Sequence, residues 1–255
     1  MLGSGSSGNA ALVSCDDAHV LVDVGLSGRE TARRLGECGV RPEQVSAIVL
    51  SHEHGDHCRG VKAFCKDLDI PVFLTDAALE ASGLVLPNGN RQRIESGVGF
   101  EVHGIVFTPF SVPHDAADPI AFTIESGGVK IAIAVDLGYI SNLTVERLKK
   151  CDAIVLESNY DLAMLRVGPY PWRLKQRVMS RRGHLSNDSV AEYLSSCFDG
   201  HARHLVLAHL SRKNNLPDLA LRSARNALEG RSGLRCDQTR LALAGPDEIG
   251  PTIGL

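Results

Sequence analysis

The segment SHEHGDH, which follows an apolar stretch ending at Leu50, holds the densest group of potential metal ligands in the sequence. Its candidate ligands are His52, His54, Asp56 and His57. In an extended backbone the first two histidines point to the same side, because side chains alternate along a strand. Gly55 then permits a sharp turn, after which the aspartate and the last histidine face another direction. The spacing therefore favours two neighbouring ions, one for each pair of ligands, and differs from HExxH, whose histidines lie one helical turn apart.

Two stretches of the chain echo each other. The sequence LVDVG around Asp23 resembles AVDLG around Asp136, and IVLSH ending at His52 resembles LVLAH ending at His209. Each echo places an ionisable residue at the same end of an apolar strand. We therefore expect two duplicated halves, approximately residues 1–125 and 126–255, with a site between them. Because no linker-like segment separates the halves, we expect a single domain over residues 1–255.

These residues are carried by short apolar segments that alternate with longer amphipathic ones, a pattern typical of α/β proteins. The predicted strands are Ala10–Ser14, His19–Val24, Ala47–Ser51, Pro71–Leu74, Gly104–Phe110, Ile120–Glu125, Lys130–Val135, Ala153–Glu157, His204–Ala208 and Thr239–Ala242. The predicted helices are Gly28–Cys38, His57–Leu68, Asp76–Leu84, Leu143–Lys149, Pro171–Met179, Asn187–Cys197 and Leu216–Leu228. Gly127 and Gly128 predict a tight hairpin turn, and Pro217 suits the first turn of the last helix.

Composition and charge are those of an ordinary globular enzyme. Hydrophobic residues make up 44% and charged residues 22% of the 255, and the formal net charge is −3. Binding to nucleic acid would therefore need a local basic patch. The seven cysteines are scattered, which favours reduced thiols over a disulfide framework. No N-terminal targeting signal is present, and no apolar run approaches the ~18 residues of a membrane span, so we expect a cytoplasmic protein.

The HxHxDH segment resembles the metallo-β-lactamase superfamily, and further residues follow the pattern of that superfamily in order. The resemblance implies that His114 is the next ligand histidine, that Asp136 is the bridging carboxylate and that His209 is the final histidine. Taken singly, each of these would more often be structural; their order and strand-end positions favour function. Asp23 matches the first-motif aspartate, which supports a ligand histidine. The implied fold is a four-layer αββα sandwich of two duplicated halves, with the site along the edge where two β-sheets meet.

A site of imidazoles and carboxylates accepts zinc, manganese or iron, and the sequence does not choose among Zn²⁺, Mn²⁺ and Fe²⁺. Two such ions ~3.5–4 Å apart can generate a bridging hydroxide near neutral pH and can stabilise an oxyanion. That chemistry suits hydrolysis of an ester, amide, thioester or phosphodiester. Four histidines match no motif of the superfamily: His19, His103, His201 and His204.

An acidic residue and a later histidine narrow the choice of reaction. Nuclease branches of the superfamily carry such a pair, and Glu157 in ESNYD and His184 in RGHLSN resemble it. The resemblance implies a general acid that protonates the leaving oxygen of a phosphodiester, and Asp56 is also assigned a catalytic role. The alternative for Glu157 is a solvated strand end, and the alternative for Ser186 or Asn187 is a helix cap.

A run of cations precedes His184 and consists of Arg173, Lys175, Arg177, Arg181 and Arg182. Two more cations, in SRKNN, follow His209. Such a run is usually a solvated helix face, but beside proposed site residues its charges could contact successive phosphates. In the glycine- and serine-rich segment GSGSSGN, Ser7 and Asn9 could add donors to phosphate.

The motifs GSGSSGNA, SHEHGDH, ESNYD, YPWRLKQR with GHLSN, and AHLSRKNN together resemble the YycJ (WalJ)-type branch of the metallo-β-lactamase fold. That branch is associated with 5′–3′ DNA exonuclease activity. The resemblance implies a dinuclear metal-dependent phosphodiesterase or nuclease whose partner is nucleic acid, with DNA favoured over RNA.

Two other functions remain open from the sequence. A small-molecule hydrolase of the same fold, such as a glyoxalase II-like thioesterase, a lactonase or a cyclic phosphodiesterase, would share the metal ligands but would not need Glu157, His184 or the basic run. A non-catalytic binding protein with a decayed site is disfavoured, because every ligand candidate is intact.

Overall fold

The chain divides into two compact units. The computed structural model describes residues 1–86, 89–230 and 238–255. Unit 1 comprises Met1–Ser111, Ala116–Ser126 and Pro246–Gly250, and unit 2 comprises Val112–Asp115, Gly127–Gly245 and Pro251–Leu255. The main change of unit thus falls between Ser126 and Gly127, beside the expected boundary of the halves. That the two units form a single domain stays a prediction.

Unit 1 contains a five-stranded sheet and an antiparallel group of three strands. The five strands, in sheet order, are β1 (Ala11–Cys15), β2 (Ala18–Val22), β3 (Ala47–Val49), β4 (Val72–Leu74) and β5 (Arg91–Arg93). β1 and β2 are antiparallel, and the other neighbours are parallel. The antiparallel group consists of β6 (Phe100–Val102), β7 (Ile105–Ser111) and β8 (Ile120–Ser126).

The register of unit 1 places the ends of β2 and β3 side by side. All three side chains of β3 are buried, so apolar burial fixes this strand and its first polar residues emerge at its carboxyl end. Val22 pairs with Val49, and the N–H of Asp23 donates to the Val49 carbonyl at 2.9 Å. Asp23 therefore leaves β2 beside the start of the SHEHGDH segment.

The helices of unit 1 are short. They are α1 (Gly28–Glu37), α2 (Gly55–Cys58), α3 (Val61–Phe64) and α4 (Asp76–Ser82), with a 3₁₀ turn at Pro42–Gln44. The single helix predicted over His57–Leu68 was wrong, because α2 and α3 are separate. The carbonyl of Asp56 and the N–H of Gly60 would form a helical hydrogen bond, but each has another partner. The carbonyl accepts from Asn9 N at 2.7 Å, and the N–H donates to Val24 O at 2.9 Å.

Unit 2 contains four parallel strands and five helices within the described residues. The strands, in sheet order, are β9 (Val129–Ala134), β10 (Ala153–Glu157), β11 (His204–Ala208) and β12 (Arg240–Leu243). The helices are α5 (Asn142–Leu148), α6 (Leu162–Val167), α7 (Trp172–Val178), α8 (Asn187–Ser196) and α9 (Pro217–Glu229). No helix in these ranges, or in those described for unit 1, has the length and hydropathy that a bilayer span requires.

The register of unit 2 aligns the carboxyl ends of its strands. Leu156 pairs with both Ala134 and Leu207, and Glu157 pairs with Ala208. The residues that follow β9 and β11 therefore leave the sheet at the same edge as Glu157. Polar side chains gathered at the carboxyl ends of parallel strands are the usual setting for a binding site in α/β proteins.

Most elements agree with the sequence pattern, and the exceptions have local causes. All ten predicted strands occur within two residues of their expected bounds. β5 was missed because its sequence RQR carries no apolar alternation, and all three side chains are exposed. β6 and α6 were also missed, although Asp161 caps α6 by accepting from Met164 N at 2.8 Å. Gly127 and Gly128 both have positive φ, as a type I′ turn requires.

Six cysteines lie in the described residues, and none of them is in a disulfide there. Cys236, the seventh, lies outside the described residues. Pro217 occupies the first turn of α9, as predicted.

Candidate metal centre

In unit 1, a buried aspartate fixes the orientation of His57. Asp23 is 3% exposed, and its Oδ2 lies 2.8 Å from His57 Nδ1. The carboxylate accepts, so Nδ1 carries the proton and Nε2 carries the lone pair. An imidazole in this tautomer can bind a metal through Nε2, and a carboxylate on the other nitrogen is the usual support for such a ligand.

The same aspartate reaches His52 through Ser51. Asp23 Oδ1 accepts from Ser51 N at 2.8 Å, and Oδ2 accepts from Ser51 Oγ at 2.9 Å. Ser51 Oγ also lies 3.0 Å from His52 Nδ1. Because the hydroxyl donates to the carboxylate, it accepts from the imidazole, and the lone pair of His52 is again on Nε2. Asp23 therefore orients two candidate ligands at once, and its role as the support of a metal ligand stays a prediction.

Asn9 connects the opening loop to the ligand segment. Its amide Oδ1 accepts from Gly5 N at 2.9 Å, which identifies Nδ2 as the atom 3.0 Å from His57 Nε2 and 3.4 Å from Asp56 Oδ2. Asn9 is 2% exposed, so its side chain faces the candidate ligands and is closed to a substrate in solution. The structure thus corrects the predicted phosphate contact of Asn9 to a positioning role. Ser7 is exposed, and its role stays a prediction.

The remaining ligand candidates of unit 1 are more accessible. His54 precedes α2, Asp56 lies in its first turn, and both side chains are half-buried. The rings of His52 and His54 are 4.7 Å apart and nearly perpendicular. Glu53 lies between them in sequence, and its carboxylate accepts a hydrogen bond from the backbone N–H of Ala117 at 2.9 Å. The rings of His52 and His57 are also close, 4.1 Å apart, and Gly55 is the first residue of α2. The division into one pair of ligands for each ion therefore stays a prediction.

In unit 2, the fully buried carboxylate of Glu157 accepts four hydrogen bonds. Its Oε2 accepts from Leu137 N at 3.0 Å and from Leu185 N at 3.1 Å. Its Oε1 lies 2.7 Å from His184 Nδ1 and 2.9 Å from His209 Nδ1. Burial alone would raise the pKa of Glu157, but the charge of His184 and these hydrogen bonds together lower it. Glu157 is therefore an ionised acceptor, which excludes the solvated strand end and argues against its acting as the proton donor.

Asp136 shares both histidines with Glu157. Its Oδ1 lies 2.9 Å from His209 Nδ1 and 3.1 Å from His184 Nδ1. Ligand atoms of Asp136, Glu157, His184 and His209 all lie within 4.8 Å of one another. Both Nδ1 atoms face carboxylates, so the Nε2 atoms are the ones directed elsewhere.

His184 is held as an imidazolium. Burial alone would lower its pKa, but the negative charge of Glu157 and the hydrogen bonds to Asp136 and Glu157 raise it to about 9. Its side chain is 19% exposed, whereas that of His209 is 2% exposed. His184 is thus a protonated side chain with access to solvent, which is what a general acid requires.

His114 is held as a neutral imidazole. Its Nδ1 donates to the Gly183 carbonyl at 2.9 Å, so the lone pair is on Nε2. Burial is the main reason that the pKa of His114 is lowered, which keeps the ring neutral as a metal ligand must be. Arg182 Nε donates to the His114 carbonyl at 3.1 Å, so this arginine also holds the histidine in place.

The donor chemistry of both units suits divalent ions. The candidate ligands offer imidazole Nε2 lone pairs on oriented rings and carboxylate oxygens, which is the donor set that zinc, manganese and iron accept. Glu157 is the exception, because its oxygens already serve four donors.

The basic run is smaller than its sequence indicates. Lys175 is 9% exposed, and its Nζ donates to the Arg166 carbonyl at 2.7 Å. Arg177 forms an ion pair with Asp115. Lys175 is therefore corrected from a phosphate contact to a structural residue, and the charge of Arg177 is partly offset. The exposed cations of the run are Arg173, Arg177, Arg181 and Arg182.

Polar residues that the sequence reasoning assigned no role support the unit 2 site. Asn159 Nδ2 donates to the His209 carbonyl at 2.7 Å. Ser158 donates to Asn187 Oδ1 at 2.7 Å, and Asn215 donates to the same oxygen at 2.9 Å. Ser158 and Asn159 lie in the ESNYD motif and Asn215 lies in SRKNN, but the sequence does not show that these side chains are buried and hydrogen-bonded to one another. Ser186, by accepting from Ser189 N at 3.0 Å, caps α8.

Comparison with known proteins identifies the family of the chain. The Beta-lactamase superfamily domain matches residues 18–210. The chain is 35% identical over 232 residues to the exodeoxyribonuclease YycJ of Bacillus anthracis, covering 90% of this chain and 88% of that protein. It is 32% identical over 225 residues to the exodeoxyribonuclease WalJ of Streptococcus pneumoniae, covering 86% and 84%.

A solved structure confirms the predicted fold. The metallo-β-lactamase fold protein YhfI from Bacillus subtilis superposes with a TM-score of 0.74 at 17% identity, covering 98% of this chain and 96% of that one. An identity this low speaks for the fold alone. Together with the sequence matches, it shows that the chain is a metallo-β-lactamase-fold hydrolase of the β-lactamase superfamily and belongs to the family of YycJ and WalJ.

Proposed function

We propose that the protein is a dinuclear metal-dependent phosphodiesterase that degrades DNA as a 5′–3′ exonuclease. The observation that carries the proposal is the position of His184, whose Nδ1 lies 3.1 Å from Asp136 Oδ1 and 2.7 Å from Glu157 Oε1, at the carboxyl ends of parallel strands. A proton donor at this place serves a reaction with a poor leaving group, such as the alkoxide of a phosphodiester. Thioester hydrolysis needs no such donor, because a thiolate departs without a proton.

The relatives support nucleic acid as the substrate. YycJ and WalJ are named exodeoxyribonucleases, and each matches more than four fifths of this chain. The names of these relatives support DNA over RNA, and both this preference and the 5′–3′ polarity are part of the proposal. A cytoplasmic location is part of it as well, since DNA is there in a bacterial cell.

The proposed ligands of the two ions are His52, His54, Asp56, His57, His114, Asp136 and His209. When bound, two divalent ions supply Lewis acidity and lower the pKa of a water molecule, so that a nucleophile forms near neutral pH. The identity of the ions, Zn²⁺, Mn²⁺ or Fe²⁺, is left to measurement. Asp56, half-buried in the first turn of α2, keeps its proposed double role as a ligand and a catalytic residue.

The protein side of the mechanism is a division of work between two residues of unit 2. His184 donates its proton to the departing oxygen from the partly exposed side of its ring. Glu157 orients His184 and His209 through their Nδ1 atoms and stabilises the charge of the imidazolium. Glu157 is thus a positioning residue in this proposal, because its burial and its four hydrogen bonds keep it from the substrate.

Metal content and DNA cleavage test the function directly. We expect two metal equivalents in the purified protein and shortening of DNA from the 5′ end, abolished by chelation and restored by Mn²⁺ or Zn²⁺. Asp136→Ala should lose at least one equivalent, because the bridging carboxylate is shared by both ions. Elemental analysis and end-labelled single- and double-stranded DNA and RNA measure these outcomes. The control is Glu229→Ala, an exposed carboxylate at the end of α9. Full metal content in Asp136→Ala would contradict the ligand assignment.

Replacement of the proposed general acid separates catalysis from metal binding. His184→Ala should retain its metal and slow DNA cleavage by ~10²–10⁴-fold, the usual contribution of a general acid. The loss should be much smaller for a p-nitrophenyl phosphodiester, whose leaving group departs without a proton. His201→Ala, at an exposed histidine, is the matched control. If the variant lost equal activity on both substrates, His184 would not be the proton donor.

The exposed cations of the basic run should contribute to DNA affinity through counterion release. Replacing Arg173 and Arg181 together by Ala should lower the slope of log affinity against log salt by up to about two units, since each phosphate neutralised on duplex DNA contributes about 0.9. Arg182 is left unchanged because it also holds His114. Affinity is measured across salt concentrations on metal-free protein, with the exposed Arg225→Ala on α9 as control. If the double variant and the wild type showed the same slope, the two arginines would not contact phosphates and would belong to a solvated face.

A further inference from the structure

An arginine stacks on a partly exposed tyrosine beside the unit 2 site. The guanidinium carbon of Arg181 lies 4.3 Å from the ring centroid of Tyr139. Tyr139 is three residues after Asp136, and Arg181 is three residues before His184. The tyrosine is 36% exposed, and the arginine is exposed. The pair therefore presents a flat surface to solvent within a few residues of two proposed site residues.

The backbone holds this pair in place. A Cβ atom at Gly138 would lie 2.4 Å from both the carbonyl carbon and the carbonyl oxygen of Arg181, so only glycine permits the two segments to approach this closely. The N–H of Gly138 donates to the Pro113 carbonyl at 2.8 Å, next to His114. The stacked pair is thus anchored to the segments that carry Asp136, His184 and His114.

The chemistry of the pair fits nucleic acid better than it fits a structural role. A cation–π contact at the surface is weak, and it leaves Tyr139 partly exposed. Among the described residues, no ion pair joins Arg181 to a carboxylate. A guanidinium that is not neutralised can donate to a phosphate, and both the ring and the guanidinium offer a planar face to a base.

We propose that Tyr139 and Arg181 receive the nucleobase next to the cleaved phosphodiester, with the base stacked on the pair. This inference rests on the proposed function and adds the form of the substrate to it. A base that has left its own stack offers whole faces to the pair, whereas a paired base exposes one face only at the very end of a duplex, so the pair suits an unpaired strand end. Stacking does not read sequence, because every base has a π-face, so the enzyme should accept all four nucleotides at this position.

The test compares oligonucleotides with and without the terminal base. A single-stranded DNA is prepared intact, with an abasic 5′-terminal nucleotide, or with an abasic 3′-terminal nucleotide. Initial cleavage rates of the holoenzyme give kcat and KM for each. In wild type we expect removal of the base, at the end from which degradation starts, to lower kcat/KM by about 10-fold, in the range of base–aromatic stacking. Tyr139→Ala should lose about as much on intact DNA and little further on the abasic strand.

Two variants separate stacking from a general effect on folding. Tyr139→Phe keeps the ring and should keep the full penalty for base removal. Arg225→Ala, an exposed arginine on α9, should behave as wild type on every strand. An equal abasic penalty in wild type and Tyr139→Ala overturns the inference while leaving the proposed function intact. A wild-type enzyme that neither binds nor cleaves the intact strand overturns the proposed function and this inference with it.

Discussion

The buried carboxylate of Glu157 is the interaction on which the proposed unit 2 site depends. It sits at the end of β10 and accepts from the chain leaving β9, from the segment before α8 and from the residue after β11. An ionised carboxylate without exposure is tolerated only when such partners satisfy it. Two of these hydrogen bonds orient His184 and His209 through their Nδ1 atoms. Removing the carboxylate would therefore disturb the strand ends, the proposed metal ligand His209 and the proposed proton donor His184 together.

In unit 1 the buried carboxylate of Asp23 has the corresponding role of orienting histidines. Its carboxylate accepts from Ser51 and His57, and it orients two imidazoles so that their Nδ1 atoms carry the protons. Asp23 and its echo Asp136 both adopt positive φ, 62° and 59°. Such a conformation in a residue other than glycine costs of order 1–3 kcal/mol and persists only where surrounding contacts enforce it. In each unit the strained aspartate contacts histidines, which is a physical reason for the recurrence of the VD(V/L)G sequence.

The parts of this picture that the sequence predicted are those with a short-range signal. Apolar strands, and ionisable residues directly after them, leave a pattern within a few positions of the chain. The contacts that individual polar side chains make cannot be predicted from so short a pattern. From the sequence, Asn9 and Lys175 are expected to be solvent-exposed donors, but both are buried. Asn9 contacts His57, which is distant in sequence, and Lys175 donates to a backbone carbonyl. The sequence suggests that Glu157 is a catalytic residue. Only the structure shows that it is buried and that its two oxygens accept four hydrogen bonds.

The most direct test of this account is the metal affinity of Glu157→Gln, measured by competition with a chelator. The amide has the same size but no charge, so it cannot accept all four hydrogen bonds and no longer orients His209. The account predicts metal binding weaker by about 10–100-fold, the usual cost of losing a group that orients a ligand, together with slower DNA cleavage that excess metal restores only in part. Metal affinity equal to that of wild type would contradict it, since Glu157 would then act on the substrate and not on the histidines.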